Sequence, residues 1–448
     1  MSVLKSVIRP ALLPPLLLLL LLSLWALPAP GQEPWTLERC IEYATEHSPE
    51  ILHRQIRYDM SRENLQEASG KRVPTIGIGA QETIHAGNAL LMYGVDQSLA
   101  MSLTQLAATM EMPLLTGGAL PANKAAEESA MKAAGEDIAL SKMNMAIRVS
   151  AAYLQVLCSR SSEEIASRQV LHCEDQVKKV TKLVDDGMRT PADLSEARAA
   201  LRDAQYRHTA AKGNTVLAKV ELSNVMGLAD ESGFDVVDLP EGEGEGSLIP
   251  APSFEGLENH PAILAAKYNL NSAEFKVKAA KGAYRPQLSL FANYNHYFAA
   301  PLGAQAIQIG SLSDGWGAVG LKLTVPILNV TTPRQVAKAR LALSDAQVTL
   351  DQSRMEMSRR IREAYYQALT AGEKYASAIK AEEAAKEAFD YQTKMFDAGR
   401  VTSYDLEESR LRWVSASEEC NRSKYESLLR ERILGYYTQE STSVEEQQ

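Results

Sequence analysis

The chain is 448 residues long, with 23% charged residues and a formal net charge of −9. That acidic balance excludes the basic footprint of a nucleic-acid partner. Its 7 histidines and 4 cysteines are scattered, with no metal-ligand spacing, nucleotide loop or nucleophile elbow, so no cofactor, metal centre or enzymatic activity is expected.

Met1–Gly31 reads as a secretory signal peptide. Lys5 and Arg9 form the basic n-region, Leu16–Leu22 the apolar core and Ala29-Pro30-Gly31 a loose cleavage site. The leucine run falls short of the ~20 apolar residues of a membrane helix, and Pro14, Pro15 and Pro28 interrupt it. From Trp35 to about Arg72 the spacing of Leu37, Ile41 and Ala44 predicts helix, broken at Ser48-Pro49. After Pro74 the period changes to two. Ile76, Ile78 and Ala80 alternate with Gly77 and Gly79, which predicts a strand. A loop through Gly87 and Gly94 follows. A second alternating stretch then runs from Leu99 to Pro113, and a turn at Thr116-Gly117-Gly118 closes it.

An Ala-rich pattern from about Ala122 to Asp186 predicts one helix roughly 95 Å long at 1.5 Å per residue. Such a length, with few aromatics and many alanines, suits closely packed helices of coiled-coil type. Asp185 to Leu194 then reads as a sharp turn. Gly187 suits the left-handed residue that ends a helix. Thr190 is a good N-cap, Pro191 fits the first helical position, and Asp193 closes a capping box with Thr190. A returning helix runs to about Val225. Cys158 and Cys173 share the long predicted helix some ~22 Å apart, so they cannot bond each other, and the cysteines read as small buried hydrophobes.

Residues 239–252 are acidic and Gly-rich and read as a linker between two halves, 32–238 and 253–437. The second half repeats the order: helix (Ser253–Ala283), strand (Gln287–Phe298), strand (Gly317–Val325), long helix (Pro333–Ala398), turn, and helix from Thr402 to about Tyr437. The Glu- and Gln-rich end, 438–448, reads as a disordered tail. The repeat is literal. Gly187 and Asp193 return as Gly399 and Asp405, an offset of 212 residues (399 − 187). At the same offset Gly70 and Pro74 return as Gly282 and Pro286, and Tyr153 returns as Tyr365. Only Pro113 and Pro326 stand 213 apart, which requires a one-residue indel on either side. The chain is one structural unit written twice.

Each half carries two strands. Leu288, Leu290, Ala292 and Tyr294 alternate with Ser289, Phe291, Asn293 and Asn295, and Val319, Leu321 and Leu323 alternate with Gly320 and Lys322. One apolar and one polar face suits a barrel with lipid outside and water inside. The same alternation fits a half-exposed soluble sheet equally well. Trp316, Tyr297 and Phe298 lie near strand ends, where a barrel carries aromatic belts.

The order of signal peptide, Trp35-Thr36-Leu37-Glu38-Arg39-Cys40-Ile41, Ser48-Pro49-Glu50-Ile51, Gly70 with Pro74, Pro113-Leu114-Leu115 before Gly117-Gly118, and two Gly…Thr…Asp-Leu turns resembles the TolC-type outer-membrane efflux family. The likeness runs across nearly the whole mature chain. It implies a mainly α fold with a small β part: long antiparallel helical hairpins forming an α-barrel, plus four strands per chain in the 12-stranded transmembrane β-barrel of a homotrimer. It implies a passive, gated exit duct in the outer membrane, extending into the periplasm. The implied partners are outer-membrane lipid, a periplasmic adaptor and an inner-membrane pump. Carried over residue by residue, Asp193, Asp405 and Glu408 correspond to gate or selectivity carboxylates. Glu408 stands where the family's best-known member has Asp, and Val401 where that member has Arg, with Arg400 one position earlier. Gly187, Thr190, Gly399, Arg400 and Thr402 fall on the turns that would meet the adaptor. Helix capping alone accounts equally well for Asp193 and Asp405, and Glu408 also suits a solvated face. Two other readings remain: the outer-membrane channel of type I protein secretion, and a periplasmic coiled-coil scaffold.

Overall fold

A computed structural model describes residues 35–88, 98–228, 234–239, 256–302 and 312–438. The signal peptide, the tip of the first strand loop around Gly94, residues 240–252 of the linker and the tail from 439 lie outside the described residues. In chain order the elements are α1 (Leu37–His47), α2 (Pro49–Gly70), β1 (Thr75–Asn88), β2 (Ser98–Thr116), α3 (Ala119–Asp185), α4 (Pro191–Met226), a single 3-10 turn (Leu257–Asn259), α5 (Pro261–Gly282), β3 (Gln287–Leu302), β4 (Leu312–Thr324), α6 (Thr331–Asp397) and α7 (Ser403–Thr438). The duplication is visible in the lengths. α2 and α5 are 22 residues each, α3 and α6 are 67 each, and α4 and α7 are 36 each. Pro49 and Pro261 each open a helix, where a missing N–H costs nothing.

The described chain divides into two compact units. The first comprises residues up to 47, 146–247 and 371–429. In it α1 lies against α4, and Trp35 forms a parallel bridge with Val236. The Tyr153 hydroxyl lies 2.6 Å from the Val237 carbonyl and 3.1 Å from that of Trp35. A guanidinium N–H of Arg160 donates to the Val236 carbonyl at 2.9 Å. These buried donors satisfy an irregular strand that has no sheet of its own. The second half keeps a tyrosine at the equivalent position, but Tyr365 is only half-buried. All four cysteines are free: Cys40 and Cys173 are buried, Cys158 and Cys420 half-buried. Burial pushes the Cys40 thiol up to about 12, so it behaves as a small hydrophobe.

The second unit comprises residues 48–145, 248–370 and 430–448. Its sheet is antiparallel, in the order β1-β2-β3-β4. β1 and β4 are therefore both edges. The strands outrun the sequence pattern: β1 continues to Asn88, β3 to Leu302, and β2 passes Pro113 through a register shift between Pro113 and Leu115. A bulge at that point tolerates the missing proline N–H.

Register sorts the side chains into two faces. Ile78 is paired with Ala108, Ala108 with Tyr294, and Tyr294 with Gly317, so these share one face. Leu106, Met110, Leu290, Val319, Leu321 and Leu323 follow on it by alternation. Large apolar side chains stand exposed on this face: Ile78 is 87% accessible and Val319 77%. The opposite face carries the polar residues. There Gln105 donates to Asn295 Oδ1 at 3.1 Å and to the Tyr297 hydroxyl at 3.3 Å, and Asn295 is buried. The aromatic belt is accordingly only part of what the sequence suggests. Phe298 sits on the apolar face in a ladder with His296 and Tyr294. Tyr297 and Trp316 share the polar face, because each is one residue out of phase with it.

The helical part of this unit is closed by Ile263, Ala266, Leu350 and Met357, with Tyr437 against them, and by Ala364, Ala368 and Leu434. His260 is the N-cap of α5 and accepts from the Ala262 N–H through Nδ1 at 3.2 Å. It is buried, and its Nε2 has no hydrogen-bond partner. Burial first, and Arg360 second, lower its pKa from 6.5 to about 4. The neutral ring is thus favoured by folding. The contribution is complete above pH 6.5 and is lost as pH falls from 6.5 towards 4, reaching about 3 kcal/mol at the acid end. His260→Asn keeps an N-cap acceptor without the titration. Thermal unfolding of the variant in detergent should change less between pH 6.5 and pH 4 than unfolding of the parent. An equal loss in both would exclude His260 as the source.

Candidate functional site: the two hairpin turns

The two turns are built alike. At the first, Met188 N–H bonds the Leu183 carbonyl (2.8 Å) and Gly187 N–H bonds that of Val184 (3.0 Å). At the second, Arg400 N–H bonds Met395 (3.0 Å) and Gly399 N–H bonds Phe396 (2.9 Å). This is a Schellman ending, which needs one left-handed residue. Gly187 and Gly399 both supply it at φ 71°. Thr190 N–H donates to Asp193 Oδ2 (3.0 Å), and Asp193 N–H donates to Thr190 Oγ1 (3.3 Å). Thr402 and Asp405 repeat the box at 3.0 and 3.2 Å. Gly187, Thr190, Gly399, Arg400 and Thr402 are all exposed, as surface turn residues should be.

The capping role expected of Asp193 and Asp405 is present at both, but they are not equivalent. Asp193 uses Oδ2 for its own cap and Oδ1 to accept a 2.6 Å bond from the Ser403 hydroxyl of the other hairpin. The Ser403 hydroxyl, then the Thr190 N–H, hold its pKa below the usual carboxylate range. Asp405 is exposed, and the Thr402 hydroxyl and N–H hold its pKa down in the same direction. Glu408 is exposed and bonds Arg412 one turn on, at 2.5 Å.

Below the turns lies an apolar cluster of Val180, Ala197, Phe389, Phe396 and Leu406, with Val401 and Trp413 against it. Phe389 and Trp413 stack at 5.3 Å. Three links from the first hairpin reach the second above this cluster. Asp193 takes the Ser403 bond. Arg189 donates to the Phe396 carbonyl at 2.8 Å, with its guanidinium 4.2 Å from the Phe396 ring centroid. Lys179 pairs with Asp397. Arg189 and Lys179 bring positive charge to the C-terminal end of α6, where the helix dipole favours it. Neither basic residue was singled out by the sequence, which pointed to Arg400 instead. The available signal was an asymmetry in the repeat: Arg189 occupies the position of Val401.

Arg410 was also missed. It is 6% exposed, bonds Glu407 at 2.6 and 2.8 Å, and reaches Gln169 at 3.4 Å. It borders a cavity of ≈ 150 Å³ shared with His172, Cys173 and Leu406. A charge on the same helical face as Leu406 and Trp413 was legible in the sequence as a break in an apolar stripe. Among the described residues no group of three His, Cys, Asp or Glu is placed to hold a metal ion. What the site offers is mechanical: two hairpins joined by a few polar links, exposed at Lys179–Asp397 and half-buried at Asp193–Ser403 and Arg189–Phe396, over an apolar seam. Each such hydrogen bond contributes about 0.5–1.5 kcal/mol, and an exposed ion pair about 0–1.

The outer membrane efflux protein family model matches residues 40–228 and 255–434. The chain is 25% identical over 289 residues to the outer membrane efflux protein BepC of Brucella suis biovar 1; the match spans 63% of this chain and 60% of BepC. Two solved structures share the fold. A membrane protein from Pseudomonas aeruginosa aligns at TM-score 0.76 and 17% identity over 90% of this chain and 93% of its own. CusC aligns at 0.77 and 14% identity over 90% and 91%.

The two capping aspartates give a direct comparison. Asp193→Ala should cost about 2 kcal/mol and Asp405→Ala about 1, because only Asp193 also bonds across to the other hairpin. A double-mutant cycle of Asp193→Ala with Ser403→Ala, read by chemical unfolding, should return a coupling of about 1 kcal/mol. Equal costs and zero coupling would show that the cross-hairpin bond contributes nothing.

Proposed function

The chain belongs to the outer membrane efflux protein family, and from that premise we propose that it is the exit duct of a tripartite export system, opened at its hairpin turns. Members of this family are outer-membrane channels that extend into the periplasm, and they are not enzymes. No helix among the described residues is long and apolar enough to cross a membrane; in this reading the sheet would span it.

One observation carries the reading: Ile76, Ile78, Val319, Leu321 and Leu323 stand exposed together on one face of the sheet, Asn295 is buried on the other, and both edges are open. A soluble sheet buries its apolar face. In hydrocarbon the reverse is stable, provided no backbone edge is left unpaired. Three copies of the four-stranded sheet would supply twelve strands and close the barrel. Met1–Gly31 would direct export, and halves 32–238 and 253–437 would each contribute one hairpin to the periplasmic part.

The turns would act as the gate. The Arg189, Lys179 and Asp193 links hold the two hairpins together at a combined cost of a few kcal/mol, within reach of a partner's differential binding energy. The exposed Gly187, Thr190, Gly399, Arg400 and Thr402 would meet a periplasmic adaptor, which couples the duct to an inner-membrane pump. Asp405 and Glu408 lie three residues apart on α7 and share a helix face. Three copies would set a ring of carboxylates there, which favours cations.

Two measurements in planar bilayers test this. Arg189→Ala with Ser403→Ala should raise single-channel conductance several-fold over the parent; an unchanged conductance would remove the links from the gate. Asp405→Asn with Glu408→Gln should reduce cation selectivity, and unchanged selectivity would reduce both residues to cap and surface charge.

A further inference from the structure

The repeat also specifies how the open edges meet. β3 is β1 displaced by 212 residues: Pro74, Ile76 and Ile78 return as Pro286, Leu288 and Leu290. β4 is β2 displaced by 213, anchored by Pro113 and Pro326. The extra residue is required by chemistry. At 213, Leu106, Met110 and Met112 map to Val319, Leu323 and Val325, apolar onto apolar. At 212 they would map to Ala318, Lys322 and Thr324, on the opposite face.

Within the chain β2 already pairs with β3, with Met110 opposite Ala292 and Met112 opposite Leu290. That pair is the internal template for the one pairing a single chain cannot make, β4 against β1. Transferring each strand by its own offset sends Met110 to Leu323 and Ala292 to Ala80. Resting on the trimeric reading above, we propose that β4 of one copy joins β1 of the next in a single register, with Leu323 opposite Ala80, Val325 opposite Ile78 and a bulge just after Pro326.

Two features agree with it. The register keeps Ile76, Ile78 and Ala80 of one edge and Val319, Leu321 and Leu323 of the other on the same exposed face, whereas a slip of one residue would oppose apolar and polar faces. It covers side chains that nothing in the chain covers: Ile327 is 95% exposed and Leu328 90%, while Ile76 on the other edge is 73% exposed. In the template, Leu115 after the bulge is opposite Leu288; the same transfer puts Leu328 opposite Ile76. The remaining charge in the row, Glu82, would fall opposite Leu321. It needs nothing from the next copy, because it accepts hydrogen bonds from Ser102 and Thr104 of its own.

The junction below the seam then differs from its template in one respect. Inside the chain, Arg285 donates to the Gly117 carbonyl at 3.3 Å. Its counterpart at the seam is Val73, 62% exposed. The junction between copies is apolar where the one within a copy is polar, which suits the exposed Ile327 and Leu328.

Slips by two residues also preserve the faces, so the test must separate them. Directly opposed Cβ atoms on antiparallel strands lie about 4.5–5.5 Å apart and diagonal ones about 7–8 Å, and a disulfide closes only the former. Ala80→Cys is combined in turn with Leu323→Cys, Leu321→Cys and Val325→Cys, and each detergent-purified variant is oxidised and run on denaturing gels beside the parent. Ala80→Cys with Leu323→Cys should give covalent trimers as the main product, and the other two pairs mostly monomers. Preferential cross-linking of a slipped pair would overturn the register while leaving the trimer intact. A monomeric mass by light scattering in detergent would overturn the trimer and the register with it.

Discussion

Two strand edges, at β1 and β4, present backbone N–H and C=O groups that the chain cannot pair for itself. In water such edges are a hazard; in hydrocarbon they are forbidden, because each unpaired group costs several kcal/mol with no solvent to repay it. The exposed face of the same sheet carries Ile76, Ile78, Val319 and Leu321, which water disfavours. In the proposed trimer, lipid would meet that face and a second copy would meet the edges, so one assembly would answer both constraints.

The helical hairpins obey a different rule. Their turns are rigid locally, since a Schellman ending and a capping box at each leave few orphan backbone groups. The links between the turns are few and none is fully buried. A permanent joint would use a large apolar interface or a buried network. Here the apolar cluster is small, and the polar links are one hydroxyl–carboxylate bond, one guanidinium on a carbonyl and one ion pair. Each hairpin is held locally while few polar links join it to the other, the arrangement on which the proposed gate rests. Arg410 is the exception: buried beside the cavity, it keeps its ion pair with Glu407 of its own helix and reaches across to Gln169 of the other hairpin, a hydrogen bond to a buried charge that is costly to lose.

The duplication gave the chain two of everything and then used the small differences between the copies. Arg189 against Val401 puts the clamp on one turn only. Ser403 lets the cap of one hairpin bond the other. Val73 stands where the other half has Arg285, whose guanidinium bonds the Gly117 carbonyl. The functional asymmetry of a repeat protein lies in such substitutions, while the shared positions maintain the common frame.

Much of this was legible in the chain itself. Period-two alternation located all four strands, proline and glycine located the turns, and the fixed offset doubled the architecture, because these signals act over a few residues and do not depend on what lies across the fold. Thr190 with Asp193 and Thr402 with Asp405 were readable for the same reason. Strand length was not: β1 and β3 run past their alternating cores because cross-strand hydrogen bonding continues where side-chain pattern does not. The face taken by Tyr297 and Trp316, the Arg189 clamp, the second bond of Asp193 and the burial of Arg410 were decided only in three dimensions. The Arg189 clamp and the second bond of Asp193 reach partners 207 and 210 residues away, and the local pattern does not say which distant atoms a side chain will reach.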